Sequence, residues 1–351
     1  MATDSIQENS AIALSACGQG NVKSVDEQGF DCANNMQTGS AMHKNGWVMP
    51  VGYEFPDGDT VKIISWNVEH FVDEHDDPYV ENRREDNPEH MGNKRADLVA
   101  ALRMADADVV VLQEFESAKL LRHIAVNELA DMGYQFFADA PSHTWYMNVV
   151  VMSRVPLGVL YSYGNLHTPL VDWLNDEGKP ASQNRLNTRT WAIDVYPSTD
   201  YSFVMGAVHL KAGRDKRDVA MRLGQINMLK GQFERFLNED PDRNILLVGD
   251  FNSLPNTIEL NTLLSGQHNG NTFTDPLSDT DFTHTALEPQ RRLDYAVMNG
   301  NMLPELVPGS AKPVSYFEPK RQDDLADHLP VVIEFYTTDR TFSAPLDYDT
   351  N

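Results

Sequence analysis

The chain has 351 residues, with 52 acidic against 28 basic side chains and a formal net charge of −24. Its 41% hydrophobic and 23% charged content is ordinary for a soluble globular enzyme with room for one large domain or two modest ones. No apolar run approaches the ~20 residues of a membrane helix. So acidic a surface repels phosphate backbones, which disfavours broad electrostatic binding of nucleic acid but leaves room for a local cationic site or a metal-bridged substrate.

Residues 1–58 are rich in Ser, Asn, Gln, Gly and Asp and show no sustained periodicity, so they read as a leader or a loosely docked extension. Both cysteines, Cys17 and Cys32, fall in this stretch. Leu14-Ser15-Ala16-Cys17 has the look of a bacterial lipoprotein cleavage box, yet residues 1–16 hold no Lys or Arg and the apolar run is only Ala11 to Leu14. Three readings stay open: a trimmed signal with a lipid anchor at Cys17, a chance match, or a Cys17–Cys32 disulfide. The first and third imply export, to periplasm, cell surface or medium, and export is the expectation.

Order begins with the strand Val61–Asn67, which runs into Trp66-Asn67-Val68-Glu69-His70. Residues 73–92 are polar, too long for a simple connection, and placed to wall or lid a site. Helical spacing over Lys94–Met104 (Leu98, Val99, Leu102) leads to the buried strand Val109–Leu112 and then Gln113-Glu114. A second helical pattern covers Ala118–Met132, followed by strands at Tyr134–Ala138 and Met147–Met152. Residues 165–187 form another polar stretch before the strands Arg189–Tyr196 and Phe203–Leu210, the latter ending in His209-Leu210-Lys211. Arg217–Leu237 is the longest helical pattern. It precedes Ile245–Val248, a strand apolar on both faces that opens into Gly249, Asp250 and Asn252. A looser region, 256–290, is followed by the strands Leu293–Met298 and Pro330–Phe335. Strands that alternate with helices, yet arrive in pairs, predict α/β layers on mixed sheets. One catalytic domain is expected over 59–337, with a tail at 338–351.

Several strands end or begin with a residue suited to metal or phosphate: Asn67, Glu114, Arg189, His209, Asp250 with Asn252, Asp294, and Asp327 with His328. Taken singly, each has a plain structural account as a turn residue, a helix-start charge or an ion-pair partner. Together they point to one crevice, because strand ends on one sheet edge converge.

The ordered set Ser65-Trp66-Asn67, Leu112-Gln113-Glu114, His209-Leu210-Lys211, Gly249-Asp250-Phe251-Asn252, Leu293-Asp294-Tyr295 and Asp327-His328-Leu329-Pro330 resembles the endonuclease/exonuclease/phosphatase superfamily. That superfamily includes deoxyribonucleases, abasic-site endonucleases, inositol polyphosphate 5-phosphatases and neutral sphingomyelinases. The resemblance implies a four-layer α/β/β/α sandwich of two mixed β-sheets flanked by helices. It implies that Asn67 and Glu114 hold a divalent cation, with Asp327 a further ligand. His328 would be the catalytic histidine, paired with Asp294 or Asp327. Asp250 would orient or deprotonate the attacking water, Asn252 would bind a phosphate oxygen, and His209 would stabilise the phosphoryl group. Arg189 and Asn148 would contact substrate. Ala326 stands where the family often has Ser.

Independently of the family, a hard cation on Asn and Glu oxygens, with imidazole and amide donors, offsets the charge of a pentacovalent phosphoryl transition state. All-oxygen ligands favour Mg²⁺, Mn²⁺ or Ca²⁺ over zinc. The expected function is therefore a metal-dependent phosphoesterase using water, most simply an exported, monomeric, nuclease-like hydrolase. Lipid or small-metabolite phosphoesters are the alternative substrates, and a non-catalytic binding protein is the second class. Arg83, Arg84, Arg185, Lys211, Arg214, Lys216, Arg217 and Arg222 are candidate substrate cations beside the site. No aromatic-tipped hairpin and no lysine-rich headgroup pocket is evident, which disfavours the sphingomyelinase and 5-phosphatase options.

Overall fold

A computed structural model describes residues 49–73, 75, 83–140, 147–183, 189–266 and 272–340. Contacts divide the chain into Met1–Glu54 and Phe55–Asn351, and the architecture below is that of the second unit. Cys17, Cys32, Arg185 and residues 341–351 lie outside the described residues. No described helix is long and apolar enough to cross a membrane.

In chain order the strands are β1 (Thr60–Phe71), β2 (Val109–Phe115), β3 (Phe136–Asp139), β4 (Asn148–Ser153), β5 (Leu157–Ser162), β6 (Thr168–Leu174) and β7 (Pro180–Gln183). They continue with β8 (Thr190–Val195), β9 (Phe203–His209), β10 (Ile245–Asp250), β11 (Phe273–Thr274), β12 (Asp294–Asn299), β13 (Lys312–Pro313) and β14 (Val331–Tyr336). The helices are α1 (Pro88–Ala105), α2 (Ala118–Glu128), α3 (Lys216–Glu239), α4 (Ile258–Leu264) and α5 (Pro319–Leu325). One six-stranded sheet has the order β13-β14-β1-β2-β4-β3 and the other β11-β12-β10-β9-β8-β5. Each contains one parallel pair, β1 with β2 and β9 with β10, inside otherwise antiparallel pairing.

The period of two along each strand builds three cores from two sheets. Ile63, Val109, Val111, Leu246 and Val248 point into the layer between the sheets. Their neighbours Ile64 and Val110 pack under α1, α2 and α5, and Ile245 and Leu247 pack under α3 and α4. The continuous apolar runs follow from this, since both faces of the central strands are buried. The arrangement is the expected α/β/β/α sandwich of two mixed sheets.

Gly249 is needed within β10 itself. A Cβ there would lie 1.9 Å from the Val208 carbonyl oxygen, and its φ is +140°. Strand β10 accordingly continues to Asp250, so Gly249 marks a close approach of β9 instead of a sharp exit from the strand.

Three local readings are corrected. The polar stretch 165–187 holds the hairpin β6–β7, whose Leu170 packs on Ala220 and Met221 of α3. Polar alternation on an exposed ribbon hid it. The looser region 256–290 contains α4, seven residues and too short for a periodic signal. Helix α1 begins at Pro88, inside the supposed loop, because Asn87 accepts hydrogen bonds from the Glu89 and His90 N–H groups and Pro88 suits the first turn. Its first turn is polar, so hydrophobic spacing shows only from Lys94.

Candidate active site

The C-terminal ends of the two parallel pairs open on the same edge. Strands β1 and β2 deliver Asn67 and Glu114, while β9 and β10 deliver His209 and Asp250 in adjacent register. Strand β12 runs antiparallel to β10 and so begins at this edge, placing Asp294 directly opposite Asp250. His328 lies in the segment entering β14, antiparallel to β1. The indole of the fully buried Trp66 donates to the His328 carbonyl at 2.9 Å, pinning that segment to β1.

The contacts are direct. The Asn67 amide donates to Glu114 Oε1 and to Asp250 Oδ2, each at 3.2 Å, bridging the two sheets. Its Oδ1 accepts from the Glu69 N–H at 3.0 Å, and a carbonyl oxygen keeps a second lone pair. His209 Nε2 is 3.5 Å from Asp250 Oδ2 and 3.7 Å from Glu114 Oε1. The Asn252 amide donates to Asp250 Oδ2 at 3.0 Å and to the Leu210 carbonyl at 3.2 Å, and its N–H to Asp250 Oδ1 at 2.8 Å. His328 Nδ1 is 2.7 Å from Asp294 Oδ2. Of the two carboxylates open as its partner, Asp294 therefore takes the bond. Asp327 lies 3.8 Å from the other ring nitrogen and 3.5 Å from His284 Nε2.

Four non-glycine residues at this edge have left-handed backbone: Glu69 (φ 46°), His70 (φ 49°), Glu114 (φ 56°) and Asn252 (φ 50°). Such conformations cost roughly 1–3 kcal/mol each and persist only where the surroundings dictate them. They interrupt the strand alternation and turn successive side chains toward one crevice.

The same burial acts differently on each group. It pushes the His209 imidazole down to about 4, so the ring is neutral at pH 7. It pushes Asp250 up to about 7, which suits a general base near neutrality. Burial opposes charge on His328 too, but the Asp294 carboxylate raises it well above 6.5 and keeps it an imidazolium. Burial would raise Glu114, yet His209, His70 and the Asn67 amide outweigh it and hold the carboxyl below its usual range. With His209 neutral, the Asn67 amide and the His70 N–H (3.1 Å to Oε2) carry that effect.

Glu69 was missed by the sequence reading, although it lies two residues beyond Asn67 on a strand. Its carboxylate is paired with Arg84 and accepts from the Asp327 N–H at 3.2 Å. Burial, then the charge of Asp327, raises its pKa. Beneath it the fully buried Lys94 donates to the Glu69 carbonyl and faces Glu85 at 4.0 Å, and burial lowers this lysine to about 8. Also missed were His70 and His284, which no spacing rule marks. Asn148, at the start of β4, donates to the Glu116 carbonyl at 2.6 Å. Arg189 is half-buried, its charge felt by His209, with Nη2 4.0 Å from Met147 Sδ.

The anticipated cation cluster divides. Arg222 is buried and bound to Glu259 at 2.8 Å and to the Lys211 and Gly213 carbonyls, so it braces the loop after β9 and meets no substrate. Lys211 pairs with Asp218 at 3.1 Å, and Arg214, Lys216 and Arg217 are exposed. The hairpin β6–β7 carries Trp173, but its turn is Asn175-Asp176-Glu177-Gly178, acidic instead of aromatic.

Oxygen donors suited to a hard cation line this edge on Asn67, Glu69, Glu114 and Asp327, with the Asn67 amide on Glu114 and Glu69 accepting from the Asp327 N–H. All-oxygen chemistry of this kind suits a divalent ion. His284, Asp327 and His328 also present ligand atoms within 4.8 Å of one another. They do not make a transition-metal site, because Arg291 donates to His284 Nδ1 at 2.8 Å. A guanidinium cannot accept, so the ring proton sits on the other nitrogen, facing Asp327.

Two mixed sheets back to back, with acids and imidazoles meeting where their parallel pairs end, define a phosphoester hydrolase type of α/β sandwich. The chain belongs to the Endonuclease/Exonuclease/phosphatase family, whose sequence model matches residues 64–328. Comparison with curated proteins gives no match. Sphingomyelinase C from Streptomyces griseocarneus superposes with a TM-score of 0.53 at 16% identity, covering 79% of this chain and 99% of that one. The human nocturnin catalytic domain, solved with sulfate, gives 0.52 at 16% identity over 81% and 97% of the two chains. A humanized D. rerio TDP2 gives 0.50 at 16% identity over 80% and 100%. At such identities the likeness is one of fold.

Proposed function

We propose that the protein is a divalent-metal-dependent phosphodiesterase of nuclease type, exported, with water as nucleophile. The observation that carries this reading is the Asp294–His328 pair set beside the buried Asp250, which the Asn67 amide links to Glu114. Glu114, Asn67, Glu69 and Asp327 would hold Mg²⁺, Mn²⁺ or Ca²⁺, and the ion would supply positive charge at the phosphoryl oxygens. Asp250, raised to about 7 and held by the Asn252 amide and N–H, would accept the proton of the attacking water. The His328 imidazolium, fixed through Nδ1 by Asp294, offers Nε2–H to the phosphoryl group, where charge accumulates in the transition state. Asn252 and neutral His209, whose N–H groups face Asp250, Glu114 and the Leu210 carbonyl here, would turn to the same oxygens once substrate enters, and Arg189 and Asn148 would line the approach.

The nuclease reading over a membrane-lipid substrate rests on two features. The hairpin nearest in kind to a membrane probe has an acidic tip, and Arg214, Lys216 and Arg217 stand exposed just after the His209 strand. A D. rerio TDP2 of the same fold has been solved with a single-strand DNA product, at 15% identity and a TM-score of 0.50. We further propose a catalytic domain of 59–337, working as a monomer, with a 338–351 tail and a 1–58 leader that carries the export signal or a lipid anchor at Cys17. The test is side-by-side hydrolysis of plasmid DNA, bis(p-nitrophenyl) phosphate and p-nitrophenyl phosphate, with each metal or with EDTA. Metal-dependent nicking of plasmid is expected. Turnover of the small esters with intact plasmid would redirect the reading to lipid or metabolite phosphates, and silence on all three would overturn it.

A further inference from the structure

Two histidines beside the site share one hydrogen-bond pattern. Arg83 Nη1 lies 2.6 Å from His70 Nε2, and Arg291 Nη2 lies 2.8 Å from His284 Nδ1. A guanidinium only donates, so in each ring the nitrogen facing the arginine holds a lone pair. The proton must then sit on the opposite nitrogen, and each ring is neutral. In His70 that nitrogen is Nδ1, 3.5 Å from Glu114 Oε2. In His284 it is Nε2, 3.5 Å from Asp327 Oδ2.

We propose that His70 and His284 are positioning residues: each, fixed in one neutral tautomer by its arginine, uses its remaining N–H to aim a carboxylate, Glu114 or Asp327, at the shared cation. The inference rests on the cation reading above and adds the residues that orient the ligands. Backbone geometry supports it. The left-handed turn at Glu69 and His70 folds His70 back, so its main-chain N–H also reaches Glu114 Oε2, at 3.1 Å. The His284 ring stands edge-on to His328, with centroids 4.8 Å apart at 79°, which keeps its Nε2 beside Asp327 and out of the His328–Asp294 bond. The two relays come from different parts of the chain. One starts on the connection between β1 and α1, the other on the connection between β11 and β12, and they reach separate carboxylates of one donor set.

An oxygen ligand held by an outer partner is oriented before the metal arrives, and loss of such a partner typically weakens metal binding 10–100-fold. The arginine also fixes which tautomer the ring adopts, so the N–H cannot turn into a lone pair facing the carboxylate, an arrangement that would be repulsive.

Two measurements test this. In the wild-type protein, long-range ¹H–¹⁵N spectra of the imidazoles should show His70 protonated on Nδ1 and His284 on Nε2. The opposite tautomer, or an imidazolium at either position, overturns the proposal without any variant having to fold. Calorimetric titration with Mg²⁺ alone should then show Kd rising about 10–100-fold in His70→Ala and in His284→Ala. His70→Asn and His284→Gln, which place an amide donor near the missing N–H, should recover most of the affinity. Binding that ignores all four substitutions overturns the positioning role while leaving the cation reading intact. Absence of Mg²⁺ binding by the wild-type protein overturns the cation reading and this proposal with it.

Discussion

The two sheets contribute unlike halves to one site. The half built on β1, β2 and the segment before β14 is rich in charge. It holds Glu69, Glu114 and Asp327, with Arg84 and Lys94 close behind them. The half built on β9, β10 and β12 is drier: His209, Asp250 and Asp294 are all under 4% exposed. Burial there pushes His209 toward neutrality and Asp250 toward protonation. On the proposed reading, one half would collect a cation and the other would move and share protons. Acids of one type thus differ through their burial and their neighbours together.

The largest expected effects fall on Asp250 of the proton-handling half and on His328, which Asp294 of that half holds from across the site. Asp250→Asn and His328→Gln should each lower hydrolysis of bis(p-nitrophenyl) phosphate by about 10²–10⁴ at saturating metal. If either variant keeps wild-type turnover, that residue is not catalytic. Next come the buried pairs that brace each half, Lys94 with Glu85 and Arg222 with Glu259. Arg222→Met strands the buried Glu259 carboxylate, which should cost about 3–5 kcal/mol in urea unfolding, and Lys94→Met should cost less because Glu85 keeps Arg84 at 2.9 Å. Only Lys94→Met should also weaken Mg²⁺ binding, because Lys94 holds the Glu69 backbone. Equal metal affinity in the two variants would erase the proposed division.

A smaller effect is one of pH. His209 folds with its pKa depressed from 6.5 to about 4, so its contribution is present above 6.5 and lost as pH falls toward 4. Asp250 folds with its pKa raised from 3.8 to about 7, so its contribution is present below 3.8 and lost as pH rises through 7. The two slopes oppose each other across pH 4–6.5. Asp250→Asn removes one of them. In EDTA, the variant's stability relative to wild type should climb with pH between 4 and 7, by up to about 1.4 kcal/mol per unit. A flat difference would show that Asp250 ionises freely and that its side of the site is wet. The smallest effect belongs to the exposed cations. Replacing Arg214, Lys216 and Arg217 with Ala should change stability by less than about 0.5 kcal/mol per residue. If DNA is the substrate, removing one cation that neutralises a phosphate should flatten the salt dependence of plasmid binding by about 0.9 in log–log slope.

Much of this was legible in the chain alone. Runs such as Val109–Leu112 and Ile245–Val248 identify strands buried on both faces because burial on two sides removes the polar alternation. Polar and charged residues at their ends then imply a shared edge, and the six short motifs in order imply the family. Hydrophobic pattern is local in sequence, so local reading recovers it. What only tertiary structure decided is partnership. The sequence left Asp294 and Asp327 equivalent as partners for His328, and the 2.7 Å bond to Asp294 separates them. Among the basic residues after His209, Arg222 turned inward and Arg214 outward, although they stand only eight residues apart. Glu69 and His70 joined the site through left-handed backbone, and all three of Glu69, His70 and His284 through contacts with Glu114 or Asp327 from distant parts of the chain. Ionisation followed the same rule, because a pKa depends on burial and on neighbours in space, and neither is written in the order of residues.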